Sequence, residues 1–141
     1  EDFAKNVNVS NFCTFHGRVS DETLREIVSA SDIAVNPDRP SKLNDLSTMN
    51  KVVEYMALGV PIVQFHSLEG IRSTDGQCVS VVDSDSIALA RGIWELSQNS
   101  ERRKQFAQLC HKRFITELSW ENQVSRLLNC YSNLLSNSLG K

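Results

Sequence analysis

The sequence lacks the features that mark several classes of protein. Its four cysteines, Cys13, Cys78, Cys110 and Cys130, stand far apart, with no C-x-x-C pair. A zinc site is therefore not expected, and we interpret the cysteines as free buried thiols in a reducing compartment. No apolar run approaches the ~20 residues that are needed to span a bilayer.

The sequence also lacks an excess of charge of one sign. The 141 residues include 15 Lys and Arg against 17 Asp and Glu, a formal net charge of −2, and no basic stripe is present. Nucleic-acid binding is therefore not expected. No signal-peptide pattern follows Glu1, so we interpret this residue as an interior start and expect a cytoplasmic location. The length favours one compact domain over residues 1–141.

Short apolar strands alternate with amphipathic helices along the chain. The predicted strands cover residues 12–15, 33–36, 62–65 and 79–82. The predicted helices cover residues 21–31, 48–58, 84–98, a segment from 100 onward, and about 119–136, with long loops at 37–46 and 66–77. This alternation indicates an α/β fold, a Rossmann-like parallel sheet of about four strands with flanking helices. Ligands of such folds bind at the carboxyl ends of the strands, here residues 17–20, 37–47 and 66–77.

Three helices have an apolar stripe that predicts their buried side. The predicted buried residues are Leu24, Ile27 and Val28 in the first helix and Ile87, Ala90, Ile93 and Trp94 in the third. Trp94 and Trp120 are interpreted as core or interdomain residues. The last helix has a leucine-rich stripe between Val124 and Leu135.

The helix at residues 48–58 is the most informative stretch. Ser47 is a suitable N-cap, Gly59 suits the left-handed position after the helix, and Pro61 prevents continuation. One face of the helix is apolar and the other is polar. The apolar residues are Met49, Val52, Val53, Met56 and Ala57, and the polar face has Asn50, Lys51, Glu54 and Tyr55.

This helix can bind an anion and a diol together. Free N–H groups and the positive end of the helix dipole suit a phosphate. A carboxylate at Glu54, further along the helix, can accept hydrogen bonds from two vicinal hydroxyls. The alternative is that Lys51 and Glu54 form an ordinary solvated i,i+3 pair.

The segment Ser47–Val63, with its Lys51-Val52-Val53-Glu54 core and Ala57-Leu58-Gly59-Val60-Pro61 end, resembles the donor-site helix of retaining glycosyltransferases. The resemblance is to the family 4 (group 1) enzymes with the two-domain GT-B fold, and it extends from Phe12 to Glu121. It implies that Glu54 holds the ribose of a nucleotide diphosphate sugar. The implied diphosphate contacts are the N–H groups of Ser47, Thr48, Met49 and Asn50, with Lys51 in reach. The turn Gly17-Arg18-Val19 would lie against the nucleobase, although Arg18 is as consistent with an exposed turn residue.

The sequence departs from the family pattern at one position. The family often has two glutamates separated by seven residues, and the first position is Leu46 here, with Asp45 beside it. Either Asp45 takes the role towards the transferred sugar, or the sugar is contacted differently.

The resemblance implies a sugar transfer with retention, catalysed by a longer chain. This chain would be the C-terminal, donor-binding part, inactive without an N-terminal acceptor domain, through which alone the protein would meet a membrane. No cofactor or metal is implied. The upstream basic residues of the family lie outside this chain. The alternatives are a non-catalytic α/β binding module, which Leu46 favours, and a receiver-like signalling domain, which would need an acidic cluster that is not found before Ser20.

Overall fold

The structure, a computed structural model, describes residues 1–139 and consists of a small parallel sheet with helices on both faces. The strands are β1 (Ala34–Asn36), β2 (Ile62–Phe65) and β3 (Val79–Val81). The helices are α1 (Asp2–Asn6), α2 (Asp21–Ser29), α3 (Asn50–Ala57), α4 (Leu68–Thr74), α5 (Ser86–Ser97), α6 (Ser100–Arg113) and α7 (Trp120–Leu139). A 3-10 helix spans Ser10–Phe12, and a π-helical turn spans Phe114–Leu118.

The strands pair in the order β1-β2-β3, and both pairs are parallel. Val63 of the central strand lies beside Val35 on one side and Val79 on the other. All four residues of β2 are buried, as expected of a parallel strand covered on both faces. The prediction of an α/β fold with a parallel sheet is therefore confirmed.

The alternating side chains of β2 divide the core into two clusters. Ile62 packs with Val52 and Met56 of α3 and with Cys78 and Cys110. The next residue, Val63, faces the other side and packs with α5 and with the first half of α6, in a cluster that also contains Phe65, Leu89, Leu96 and Phe106. Each cluster joins segments that are distant in sequence, and such tertiary packing supplies most of the stability of helices in proteins.

The predicted strand at residues 12–15 is wrong, and the sheet has three strands within the described residues. Phe12 ends the 3-10 helix and is 89% exposed, and Phe15 is exposed as well. An aromatic-rich segment has strand propensity, but a strand exists only where a neighbour completes its backbone hydrogen bonds. The pairs of β1 are all with β2.

The predicted loop at residues 66–77 is also wrong, because it contains α4. The Ser67 side chain accepts a hydrogen bond from the Gly70 N–H at 3.1 Å and caps the helix. Asp75 ends it in the left-handed conformation, with φ of 51°. Gly70 lies so close to Ser67 and Gln64 that an added Cβ would be 2.7 Å from the Ser67 Oγ.

The phase of α5 differs from the prediction. Leu89, Gly92 and Leu96 are buried, and Ile93 is partly buried, whereas the predicted Ile87, Ala90 and Trp94 are exposed. The helix lies against the sheet through Gly92, whose Cα faces Val63, Val79 and Val81. A glycine permits this close approach, and the choice between two apolar stripes is therefore made by the fit to the sheet.

The remaining helices follow the sequence more closely. Ser20 caps α2 by accepting the Thr23 N–H at 3.2 Å, and Ile27 and Val28 are partly buried, but Leu24 is exposed. α7 extends beyond the predicted end at residue 136. Its stripe is exposed from Leu127 to Leu135, as is Trp120, and Val124 is partly buried. None of the helices in the described part is long and apolar enough to cross a membrane.

Candidate donor-binding site

The segment before α3 presents a run of unpaired backbone donors. Within the described residues, the N–H groups from Ser47 to Lys51 donate no hydrogen bond to another protein group. The helix begins at Asn50, its N-cap is Met49, and no side chain caps it. The prediction that Ser47 caps a helix from Thr48 is therefore wrong. Because residues 47–49 precede the helix in an irregular segment, their N–H groups are free in addition to those of the first helical residues, Asn50 and Lys51.

This segment is attached to α4 at two points. Asp45 Oδ1 accepts a hydrogen bond from the Leu68 N–H at 2.8 Å. The Thr48 hydroxyl donates to Glu69 Oε1 at 2.6 Å. Helix α4 was not predicted. The side chains of Asp45 and Thr48 form hydrogen bonds with it and do not cap α3.

Glu69 is a buried carboxylate that receives donors from three side chains. It is 6% exposed. Arg72 approaches it with two nitrogens, Nε at 2.6 Å from Oε2 and Nη2 at 2.7 Å from Oε1, and the Ser73 hydroxyl lies 3.1 Å from Oε1. The hydrogen bonds from Arg72, joined by those from Thr48 and Ser73, lower the pKa of Glu69 to about 2, although burial opposes the shift. The carboxylate is therefore ionised at neutral pH.

Lys51 does not pair with Glu54. Its ammonium nitrogen lies 2.8 Å from Asp38 Oδ2, across the loop that follows β1. Asp38 itself lies at the carboxyl end of β1, where its N–H donates to Asn36 Oδ1 at 3.4 Å. The predicted alternative of a solvated Lys51–Glu54 pair is therefore wrong. The ion pair instead holds Lys51 towards the loop that follows β1.

Glu54 is exposed and lines a cavity of about 310 Å³ between α2 and α3. The volume is at the lower end of the range for small-molecule sites. The other residues that line the cavity are Asp21, Leu24, Arg25 and Val28 of α2, with Ala57 and Leu58. Glu54 and Arg25 thus face one concave space, and the exposed Leu24 is one of its walls.

The turn Gly17-Arg18-Val19 comes just before α2, which forms one wall of the cavity. Gly17 has φ of +65° and no neighbour within 4 Å of an added Cβ, so its glycine is needed for the left-handed backbone and not for space. Arg18 is exposed and Val19 is partly buried. Ser20 follows and caps α2, whose first residue, Asp21, lines the cavity.

The structure places the predicted residues in three positions. Asp45, Ser47, Thr48, Met49, Asn50 and Lys51 form the segment attached to α4, Glu54 lies one turn further along α3, and Gly17 to Val19 precede the opposite wall. Leu46, at the usual glutamate position, is 86% exposed. No group of metal-ligating side chains is assembled among residues 1–139.

Two functional candidates were not assigned a role by the sequence. These are Glu69 and Arg72, which lie in the segment that was predicted as a loop. Their i,i+3 spacing signals an ion pair on a helix. The helix itself was not predicted, and the contact of Glu69 with Thr48, 21 residues earlier, has no local signal.

The comparisons with known proteins identify the family and the fold. The profile of the family described as "Glycosyl transferases group 1" matches residues 1–99. No curated protein matches the chain in sequence. Among solved structures, the sucrose-phosphate synthase from Thermosynechococcus elongatus is similar over 96% of this chain, with a TM-score of 0.83 and 20% sequence identity. The match covers 33% of that protein, so this chain spans about a third of its length. Since the family profile covers more than half of the chain, the chain belongs to the group 1 glycosyltransferases, and its fold is that of part of a GT-B glycosyltransferase.

Proposed function

We propose that this chain binds the nucleotide diphosphate sugar donor of a retaining glycosyltransferase, and that an acceptor domain elsewhere in a longer chain completes the enzyme. The observation that carries the proposal is the run of free N–H groups from Ser47 to Lys51, followed by the exposed carboxylate of Glu54 on the same helix. Family membership supports the transferase class.

The proposed roles follow from chemistry. The donor diphosphate would accept hydrogen bonds from the N–H run, which is fixed in place and needs no reorganisation as negative charge develops on the leaving group. In this proposal these dipoles stabilise the leaving diphosphate without a metal ion. Lys51 would add positive charge from the Asp38 side.

Glu54 lies four residues after the start of α3, about 6 Å along the helix axis at 1.5 Å per residue. A ligand with a ribose next to its diphosphate can span this separation. The carboxylate would accept hydrogen bonds from the two ribose hydroxyls, and the cavity between α2 and α3 would hold the nucleoside, with Gly17 to Val19 near the base.

Titration with UDP and GDP, followed by amide chemical shifts, tests the proposal. We expect shifts centred on residues 47–54 and 17–19, and about tenfold weaker binding after Glu54→Ala, the effect of a lost charge-assisted hydrogen bond. Glu95→Ala, at an exposed position of α5, is the matched control and should bind as the wild type does. Shifts elsewhere, or equal binding by the Glu54→Ala variant, would contradict the assignment.

A non-catalytic binding module is the second candidate, because Leu46 occupies the usual glutamate position and is exposed. Both candidates predict that this chain alone transfers no sugar. They differ in the longer chain, where donor turnover would support the enzyme and binding without turnover would support the module. Turnover by this chain alone would contradict the proposed need for an acceptor domain.

A further inference from the structure

Helix α4 is joined by side-chain hydrogen bonds to residues 45–49, the donor segment that precedes α3. Both side-chain hydrogen bonds of residues 45–49 within the described structure go to α4, from Asp45 to the Leu68 N–H and from Thr48 to Glu69. The segment lies outside any helix, so its own backbone holds it weakly. Residue 49 in particular caps α3 without a side-chain bond.

The hydrogen bond from Thr48 has an acceptor that is held in place, unlike most hydrogen bonds at a surface. Its acceptor, Glu69, is buried and is itself held by Arg72 and Ser73. Arg72 donates hydrogen bonds to both carboxylate oxygens of Glu69, and 72% of its own side chain is exposed. A bidentate pair of this kind fixes the direction of the carboxylate as well as its charge. The lowered pKa of Glu69 is consistent with an acceptor that stays ionised.

The same oxygen, Glu69 Oε1, accepts from both Thr48 and Arg72. The distances of 2.6 Å and 2.7 Å mean that the Thr48 hydroxyl and the Arg72 Nη2 are at most 5.3 Å apart, the sum of the two. The donor segment and the guanidinium are therefore positioned by one carboxylate. A displacement of Glu69 would move both.

We propose that Glu69 is a positioning residue for the donor site, which acts through the Thr48 hydroxyl to hold the N–H groups of residues 47–51 in the arrangement that binds a diphosphate. The inference rests on the proposed function for its ligand. The backbone order of residues 47–51 can be measured without a ligand, so the positioning can be tested separately from the proposed function. Preorganised donors bind more tightly because less conformational freedom is lost on binding.

Two substitutions at Thr48 test this. Thr48→Val removes the hydroxyl and keeps the shape, while Thr48→Ser keeps the hydroxyl. Thr48 is exposed, so neither variant should unfold the chain. Thr116→Val is the matched control, because this exposed threonine donates to the Lys112 carbonyl at 3.0 Å, in the π-helical turn.

The first readout is the backbone order of the ligand-free chain, from ¹⁵N relaxation of residues 47–51. We expect lower order parameters in Thr48→Val and Glu69→Gln, and values equal to the wild type in Thr48→Ser and Thr116→Val. Unchanged order in Thr48→Val would overturn the inference, whether or not any nucleotide binds.

The second readout is binding of UDP and GDP compared with uridine and guanosine. We expect Thr48→Val to weaken binding of the diphosphates about tenfold and to leave nucleoside binding unchanged, with wild-type behaviour restored in Thr48→Ser. An equal loss for nucleosides and diphosphates, together with a lower unfolding midpoint, would overturn the inference in favour of a purely structural role. A wild-type chain that binds no nucleotide, but whose segment loses order in Thr48→Val, would overturn the proposed function and support the positioning by Glu69.

Discussion

The ammonium nitrogen of Lys51 lies 2.8 Å from a carboxylate oxygen of Asp38, so α3 is joined by an ion pair to the loop that follows the neighbouring strand. The pair connects the first turn of α3 to the carboxyl end of β1. It orients a lysine beside the N–H run of residues 47–51. The lysine had been expected either to reach a phosphate or to pair with Glu54.

Lys51→Met should lower the free energy of unfolding by less than about 1 kcal/mol, because an ion pair that water reaches is strongly screened. The side chains of Lys51 and Asp38 are 40% and 32% exposed. Urea unfolding at low and high salt measures the loss, which should shrink at high salt. Lys104→Met, in the more exposed pair with Glu101, should have a smaller effect. A large, salt-independent loss would contradict this prediction.

Glu69 should make the stability of the chain depend on pH between 4.5 and 2. Its pKa falls from the ordinary 4.5 to about 2 in the folded state, mainly through the hydrogen bonds from Arg72. A carboxyl with a lowered folded pKa stabilises the fold above its unfolded pKa, and that contribution is lost as the pH falls towards the folded value.

Urea unfolding of the wild type and Glu69→Gln across this pH range measures the effect. The difference in stability between the two should be largest above pH 4.5 and should shrink towards pH 2. Glu95→Gln, at an exposed site on α5, is the matched control. A constant difference between wild type and Glu69→Gln would argue against an ionised Glu69.

Two of the four cysteines should react with a thiol reagent in the folded chain. Cys78 and Cys110 are buried as predicted, but Cys13 and Cys130 are exposed, so the prediction of buried thiols is wrong for these two. Burial raises the pKa of Cys78, and it raises that of Cys110 to about 12, so little of the reactive thiolate forms at neutral pH. Colorimetric titration should count two fast thiols, and four after unfolding. The variant with Cys13→Ser and Cys130→Ser should have no fast thiol. Fast reaction in that variant would contradict the buried positions.

Gly92→Ala should destabilise the chain by about 1 kcal/mol, the net of overpacking and a gain in helix propensity. An added Cβ would lie 3.0 Å from Val81 Cγ2 and within 3.3 Å of Val63 Cγ1, so the sheet would have to move. Urea unfolding provides the value. Glu95→Ala, on the exposed side of the same helix, should change stability by less than about 0.5 kcal/mol. A stabilised Gly92→Ala variant would mean that α5 can move away from the sheet without loss.

Much of the fold could be predicted because its signals are local. The strand at residues 62–65 has the predicted bounds, the caps at Ser20 and Gly59 are found where the sequence places them, and α6 starts at Ser100 as expected. The expected free N–H groups are present, but three of them, from residues 47–49, belong to an irregular segment before α3 and not to the helix itself. The roles of Glu54, Asp45 and the turn at Gly17 towards a donor remain predictions.

The sequence by itself determined the α/β class, the family and the polar face that carries Glu54, because periodicity, capping residues and the Ser47–Val63 motif are properties of short segments. The tertiary structure decided which stripe of α5 faces the sheet, whether residues 12–15 form a strand, and what holds Thr48. Each of these depends on a partner distant in the chain: the valines around Gly92, a neighbour for the strand, and Glu69 on a helix that the local sequence did not predict. Such contacts exist only once the backbone is folded, since they join groups between which the sequence sets no spacing.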